Sequence, residues 1–158
     1  MVVKHVPGDA DRMQRVVDEL SRKAVRVGYF PHSRYPDGKP VAGVAVVQEY
    51  GSVKLQIPPR PTFGPAVANG RQMQRDATAA ATRRAIKGTQ TVEQGLDQLG
   101  MAVVGDIKQA ITELASPELA ESTVEARRRR NAAGNASTKP LVDTGFMLQE
   151  VTHVVGDK

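Results

Sequence analysis

TVEQGLDQLGMAVVGDIKQAITEL, residues 91–114, places apolar side chains at Val92, Leu96, Leu99, Val103, Ile107, Ala110 and Leu114. That spacing gathers them into one stripe of an α-helix, and a stripe of this kind is core. Thr91 and Gln94 stand at capping-box spacing, which predicts the start of the helix, and Ser116-Pro117 predicts its end just after Leu114. Upstream, residues 62–87 carry Phe63, Ala66, Val67, Met73, Ala77, Ala80 and Ala81, with Thr62 as the expected cap and Gly88 as the expected stop. Two long helices joined by so few residues are expected to pack as an antiparallel hairpin.

Working outward toward the N-terminus, Met13, Val16, Val17 and Leu20 recur at helical spacing from residue 9 or 11 to about 23, with Asp9 as the expected N-cap. Residues 24–30 then alternate, with Val25, Val27 and Tyr29 on one side, as a half-buried strand does. Residues 31–40 (PHSRYPDGKP) are turn chemistry and predict a projecting loop. The apolar run Val41, Val44, Ala45 and Val47 predicts a short helix, closed by Gly51 as a left-handed C-cap. Beyond it, Pro58, Pro59 and Pro61 predict a stiff, extended arm over residues 52–61. Toward the C-terminus, Ser122 and Glu125 again stand at capping-box spacing, ahead of Arg127, Arg128, Arg129 and Arg130. Residues 131–139 (NAAGNASTK) predict a mobile loop, followed by a turn, a short helix and an alternating strand over residues 149–155.

The fold class implied is α+β within a single domain. A small antiparallel sheet, with first and last strands paired, packs against an N-terminal helix and the long helical hairpin. The 158 residues suit one ordinary domain. Cysteine is absent, which excludes disulfides, thiolate metal sites and Cys nucleophiles. Aromatic content is 4% without Trp, which disfavours stacking platforms for single-stranded nucleic acid. A net charge of +5 favours anionic partners, DNA or an acidic protein face. No signal-peptide pattern or membrane span is evident, so a soluble protein made inside the cell is expected, with no membrane partner.

Catalytic signals are weak. Asp143-Thr144-Gly145 matches the short signature of aspartic proteases, which need paired carboxylates about 3 Å apart in β-rich lobes. Only thirteen residues follow Gly145, too few to complete such a lobe. Asp143 is therefore read as a helix cap and Gly145 as the residue that permits the turn. His5, His32 and His153 lie in separate elements without metal-ligand spacing, and no glycine-rich loop has nucleotide-binding spacing. No cofactor, metal or enzymatic activity is expected. The arginine run is either a solvated face or a contact for phosphate or an acidic neighbour, and Arg also suits pairing across a subunit boundary.

Several pieces in order resemble the tail-component and neck proteins of long-tailed bacteriophages. They are Val27-Gly28-Tyr29-Phe30 with Tyr35-Pro36-Asp37-Gly38, then Val41-Ala42, Gln48-Glu49-Tyr50-Gly51 and Ile57-Pro58-Pro59-Arg60-Pro61-Thr62-Phe63. Ser122-Thr123-Val124 before the arginine run is similar too. So is the closing Lys139-Pro140-Leu141-Val142-Asp143-Thr144-Gly145, with Met147-Leu148 and Val151-Thr152. The resemblance implies a non-enzymatic virion subunit, made in the host cytoplasm, that forms a ring and joins or completes the tail where it meets the head. Its implied partners are copies of itself, the tail terminator and head-closure or connector proteins, with non-specific contact to packaged DNA. The arm residues Val53, Leu55, Ile57, Pro58, Pro59, Arg60 and Pro61 are then the expected subunit interface, because extended segments cover much surface per residue. The alternative is a small basic DNA-binding protein using the helical hairpin and Arg127, Arg128, Arg129 and Arg130.

Overall fold

A computed structural model of the chain describes residues 8–130 and 137–158. His5 and the 131–136 part of the expected loop lie outside the described residues. The elements in order are α1 (Asp9–Arg22), β1 (Lys23–Gly28), α2 (Val41–Tyr50), α3 (Phe63–Asn69), α4 (Arg71–Ile86), α5 (Val92–Glu113), α6 (Glu121–Arg130), α7 (Phe146–Glu150) and β2 (Thr152–Asp157). The architecture is α+β, with β1 and β2 paired antiparallel from Lys23↔Asp157 to Gly28↔Thr152. First and last strands pair as expected. β2 begins later than residue 149 because α7 occupies residues 146–150 and turns Met147 into the interior, where it is 7% exposed.

α5 is the spine. Its Thr91–Gln94 capping box is formed, with Gln94 N–H donating to Thr91 Oγ1 at 3.1 Å and Thr91 N–H donating to Gln94 Oε1 at 3.0 Å. Val92 and Leu96 at its start pack with Val16 and Ala85. Val103, Ile107 and Ile111 further along pack with Ala66, Leu141 and Val151. Ile107 and Ile111 are 1% and 0% exposed, and full burial of such a side chain contributes about 1.5–3 kcal/mol.

The helical hairpin is antiparallel: a Cβ on Gly95 would lie 2.6 Å from Ala81 Cβ, and one on Gly70 would lie 3.1 Å from Asp106 Oδ2. Contacts run backward along α5 as they run forward along α4. The sheet lies on the same spine, so close that a Cβ on Gly100 would overlap the His153 ring. Its first arm is not one helix, however. α3 and α4 are separated at Gly70, where glycine after Asn69 weakens the helix.

Other local expectations are corrected. The N-cap of α1 is Gly8, so Asp9 lies inside the first turn. α6 starts at Glu121, which puts Ser122 within the helix and leaves no Ser122–Glu125 capping box. The loop over residues 31–40 is exposed along its length except at Ser33 and Tyr35, which fasten it to the body. Ser33 is 2% exposed, Arg34 bridges to Pro40, and the Tyr35 and Phe146 rings lie 5.1 Å apart. Among the described residues no helix is long and apolar enough to cross a membrane.

Candidate functional site

α2 is short of polar residues, so packing its apolar run on one side leaves apolar side chains on the other. Val41 is fully buried, while Gly43, Val46 and Tyr50 form an exposed stripe at helical spacing. At Gly51 the chain adopts φ 74 with ψ 178 instead of the left-handed helical cap expected. Any Cβ there would meet Pro59 N at 2.8 Å and Ile57 O at 2.9 Å, so glycine is required by close approach as well as by φ.

The arm expected over residues 52–61 is extended only in its second half. Ser52 and Ile57 exchange both backbone hydrogen bonds, at 2.8 and 2.9 Å, and close a tight hairpin. Within it Gln56 takes φ 51, its N–H donates to Val53 O, and Leu55 N–H donates to Ser52 Oγ. Local pairing satisfies backbone groups that an extended arm would leave to water or a partner. The tip thereby presents Val53 at 98% exposure and Leu55 at 60%, beside Tyr50 at 78% and Val46 at 56%. Pro58, Pro59 and Pro61 are exposed and Ile57 is half-buried.

Two charged side chains fasten the base of this hairpin. Arg60 is 5% exposed, its Nε and Nη2 donating to Pro117 O and Glu118 O at 2.9 and 2.8 Å. Its N–H donates to Gln48 O at 2.6 Å. Arg60 is therefore a clamp within the chain and is removed from the expected interface. Glu49 caps α3 in place of Thr62, whose side chain makes no cap bond. Glu49 Oε2 accepts from Thr62 N–H at 2.7 Å and Phe63 N–H at 3.1 Å, and Oε1 accepts from Gly64 N–H at 2.9 Å. Burial pushes the Glu49 carboxyl up, but the N–H groups of Thr62, Gly64 and Phe63 outweigh it and hold it below the usual range.

A carboxyl depressed in the folded state stabilises fully above its unfolded value, near ~4.3, and that contribution disappears as pH falls through the folded value. Glu49→Gln should cost about 1–2 kcal/mol at pH 7 in urea denaturation, and the difference from wild type should shrink below pH ~4. A constant difference from pH 7 to pH 3 would contradict this role.

The arginine run is not one surface. Arg127 is 6% exposed, its Nη1 donating to Ser137 O and Lys139 O at 2.8 Å each and its Nη2 to Pro140 O at 3.0 Å. It is therefore withdrawn from any partner. Arg130 donates to Asp143 Oδ2 at 2.7 Å, Arg129 pairs with Glu125 at 3.3 Å, and Arg128 is exposed. Asp143 is likewise not a helix cap. Its Oδ1 is buried 3.6 Å from Arg127 Nε, an ion pair without a hydrogen bond, and the N-cap position of α7 belongs to Gly145. Gly145 does permit the turn, at φ 77. The described end of the expected mobile loop, residues 137–139, is held by Arg127 and by Lys139 Nζ donating to Thr112 O at 2.9 Å.

Sequence reasoning missed Tyr50 and Val46 as surface residues. A signal existed, since both fall out of phase with buried Val41. It also missed that His153 is engaged, its Nε2 lying 2.7 Å from Asp97 Oδ1 on α5. Among the described residues no cluster of three or more His, Asp or Glu could hold a metal ion. No protein-family model matches this chain, and neither curated proteins nor solved structures give a match.

Proposed function

We propose that this chain is a non-enzymatic structural subunit of a tailed-bacteriophage particle, a ring-forming neck or tail-completion protein acting where tail meets head. The observation that carries the reading is the apolar hairpin tip, with Val53 at 98% and Leu55 at 60% exposure beside Tyr50 at 78%, on a base clamped by Arg60 and Glu49. Contiguous exposed apolar side chains on a rigid mount mark protein contacts. A subunit whose mount is already ordered loses little conformational entropy when the tip docks. The partners are copies of the chain and the neighbouring terminator, head-closure or connector proteins, and the protein resides in the virion.

The test is electron microscopy of lysates from a phage carrying this gene with a stop codon introduced near its start. Filled heads and separate tails, unjoined or with aberrant tail ends, are expected. Intact infectious particles would remove the reading.

A further inference from the structure

α5 turns a second face to solvent, opposite the stripe that builds the core. Gln94, Gln98, Met101, Gly105, Gln109 and Thr112 are all exposed and follow one another at steps of 4, 3, 4, 4 and 3. Those steps add to about five turns at 3.6 residues each, so the row does not drift around the helix. It forms a straight band about 80° wide and about 27 Å long. In a chain that is 25% charged, the band carries no charge. Met101, near its middle, is 55% exposed, and a Cβ on Gly105 one turn further would meet nothing within 4 Å. Glycine inside a helix lowers its stability relative to alanine, and among the described residues nothing requires glycine at 105. What it permits is the close approach of another helix.

We propose that this band is where two copies of the chain pair, α5 against α5, antiparallel about a two-fold axis at the level of Val103. The pairing does not depend on the assembly role above, since a two-fold pair uses one surface twice whereas a ring joins two different surfaces.

The band is complementary to itself when reversed about Val103. Met101, its one large apolar side chain, comes to lie over the partner subunit's Gly105, where there is none. Gln94 comes opposite the partner subunit's Thr112. Gln94 uses its Oε1 in the capping box and Thr112 donates its hydroxyl to Lys108 O at 2.8 Å, which leaves an amide donor facing a hydroxyl acceptor. Charge is complementary too. Asp97 and Lys108 lie along one flank of the band, both half-buried, and the same reversal sets each beside the other's counterpart in the partner. Among the described residues Lys108 has no ion-pair partner, and Asp97 engages His153 through Oδ1, leaving Oδ2 for the lysine. The acids near the ends, Glu93 and Glu113, already hold Lys23 at 3.2 Å and Gln109 at 2.8 Å.

Sedimentation equilibrium of the full chain from about 1 to 200 µM tests the proposal, and a rise from 17.0 kDa toward twice that mass is expected. Met101→Glu with Gly105→Glu sets carboxylates against carboxylates across the axis and should weaken pairing at least tenfold. Its melt should stay near that of wild type, because both positions are open to solvent. Mixing it with a chain carrying Met101→Lys and Gly105→Lys should restore the pair, which a folding defect could not do. Direction is read by cysteines, since the chain has none of its own. Gln94→Cys and Thr112→Cys chains oxidised together should form a mixed disulfide, while neither should cross-link alone, because like positions lie about 27 Å apart along the pair. A chain that stays at 17.0 kDa throughout overturns the proposal. So does association that survives the paired glutamates, a mixture that fails to associate, or cross-linking of Gln94→Cys with itself.

Discussion

Replacing Arg127 with alanine should destabilise the protein by about 3–5 kcal/mol, the range for breaking a buried charged cluster. The side chain is 6% exposed and holds the carbonyls of Ser137, Lys139 and Pro140 while facing Asp143. Without it the buried Pro140 carbonyl loses its donor, at roughly 1–3 kcal/mol for a buried unsatisfied group, and the part-buried carbonyls of Ser137 and Lys139 lose theirs as well. α6 would also lose its attachment to the segment that carries Leu141 into the core. Arg127→Lys should recover little, because an ammonium offers a point charge where the guanidinium offers a planar fork. Arg128→Ala, one residue away and exposed, should change stability by less than about 0.5 kcal/mol. Urea denaturation of the three variants decides the matter. If Arg127→Ala unfolds with the wild-type midpoint and slope, the cluster is not what holds this end of the molecule.

On the assembly role proposed above, Val53→Asp with Leu55→Asp should abolish complementation of a phage that lacks the gene, leaving heads and tails unjoined. The purified variant should melt within about 2 °C of wild type, because both side chains are at the tip, at 98% and 60% exposure, and contribute little to folding. Placing two carboxylates at the centre of an apolar contact desolvates them without partners, a penalty of several kcal/mol that association cannot absorb. Particle yield by plaque count and the solution melt together separate lost docking from lost folding. Normal plaque numbers with the variant would show that the tip faces solvent in the particle, and the assembly reading would lose its main support.

The sequence by itself determined the spine and its partners. The stripe from Val92 to Leu114, the capping box at Thr91 and the alternation of Val25 and Val27 are local patterns, and each matches the element it predicted. The pairing of first and last strands followed because two alternating segments each needed a sheet partner. Tertiary structure alone decided the rest. Whether Arg127 serves a partner or its own chain depends on where the carbonyls of residues 137–142 come to lie, and no pattern within the arginine run encodes that. Thr62 has the chemistry of a cap, yet Glu49, thirteen residues earlier, reaches the same N–H groups with a full charge and displaces it. Arg60 belongs by sequence to a free arm, but burial beside Pro117 and Glu118 makes it a clamp. In each case a charged group found its partner ten or more residues away along the chain. Local spacing specifies periodic burial, whereas polar pairing depends on distances that only the assembled fold creates.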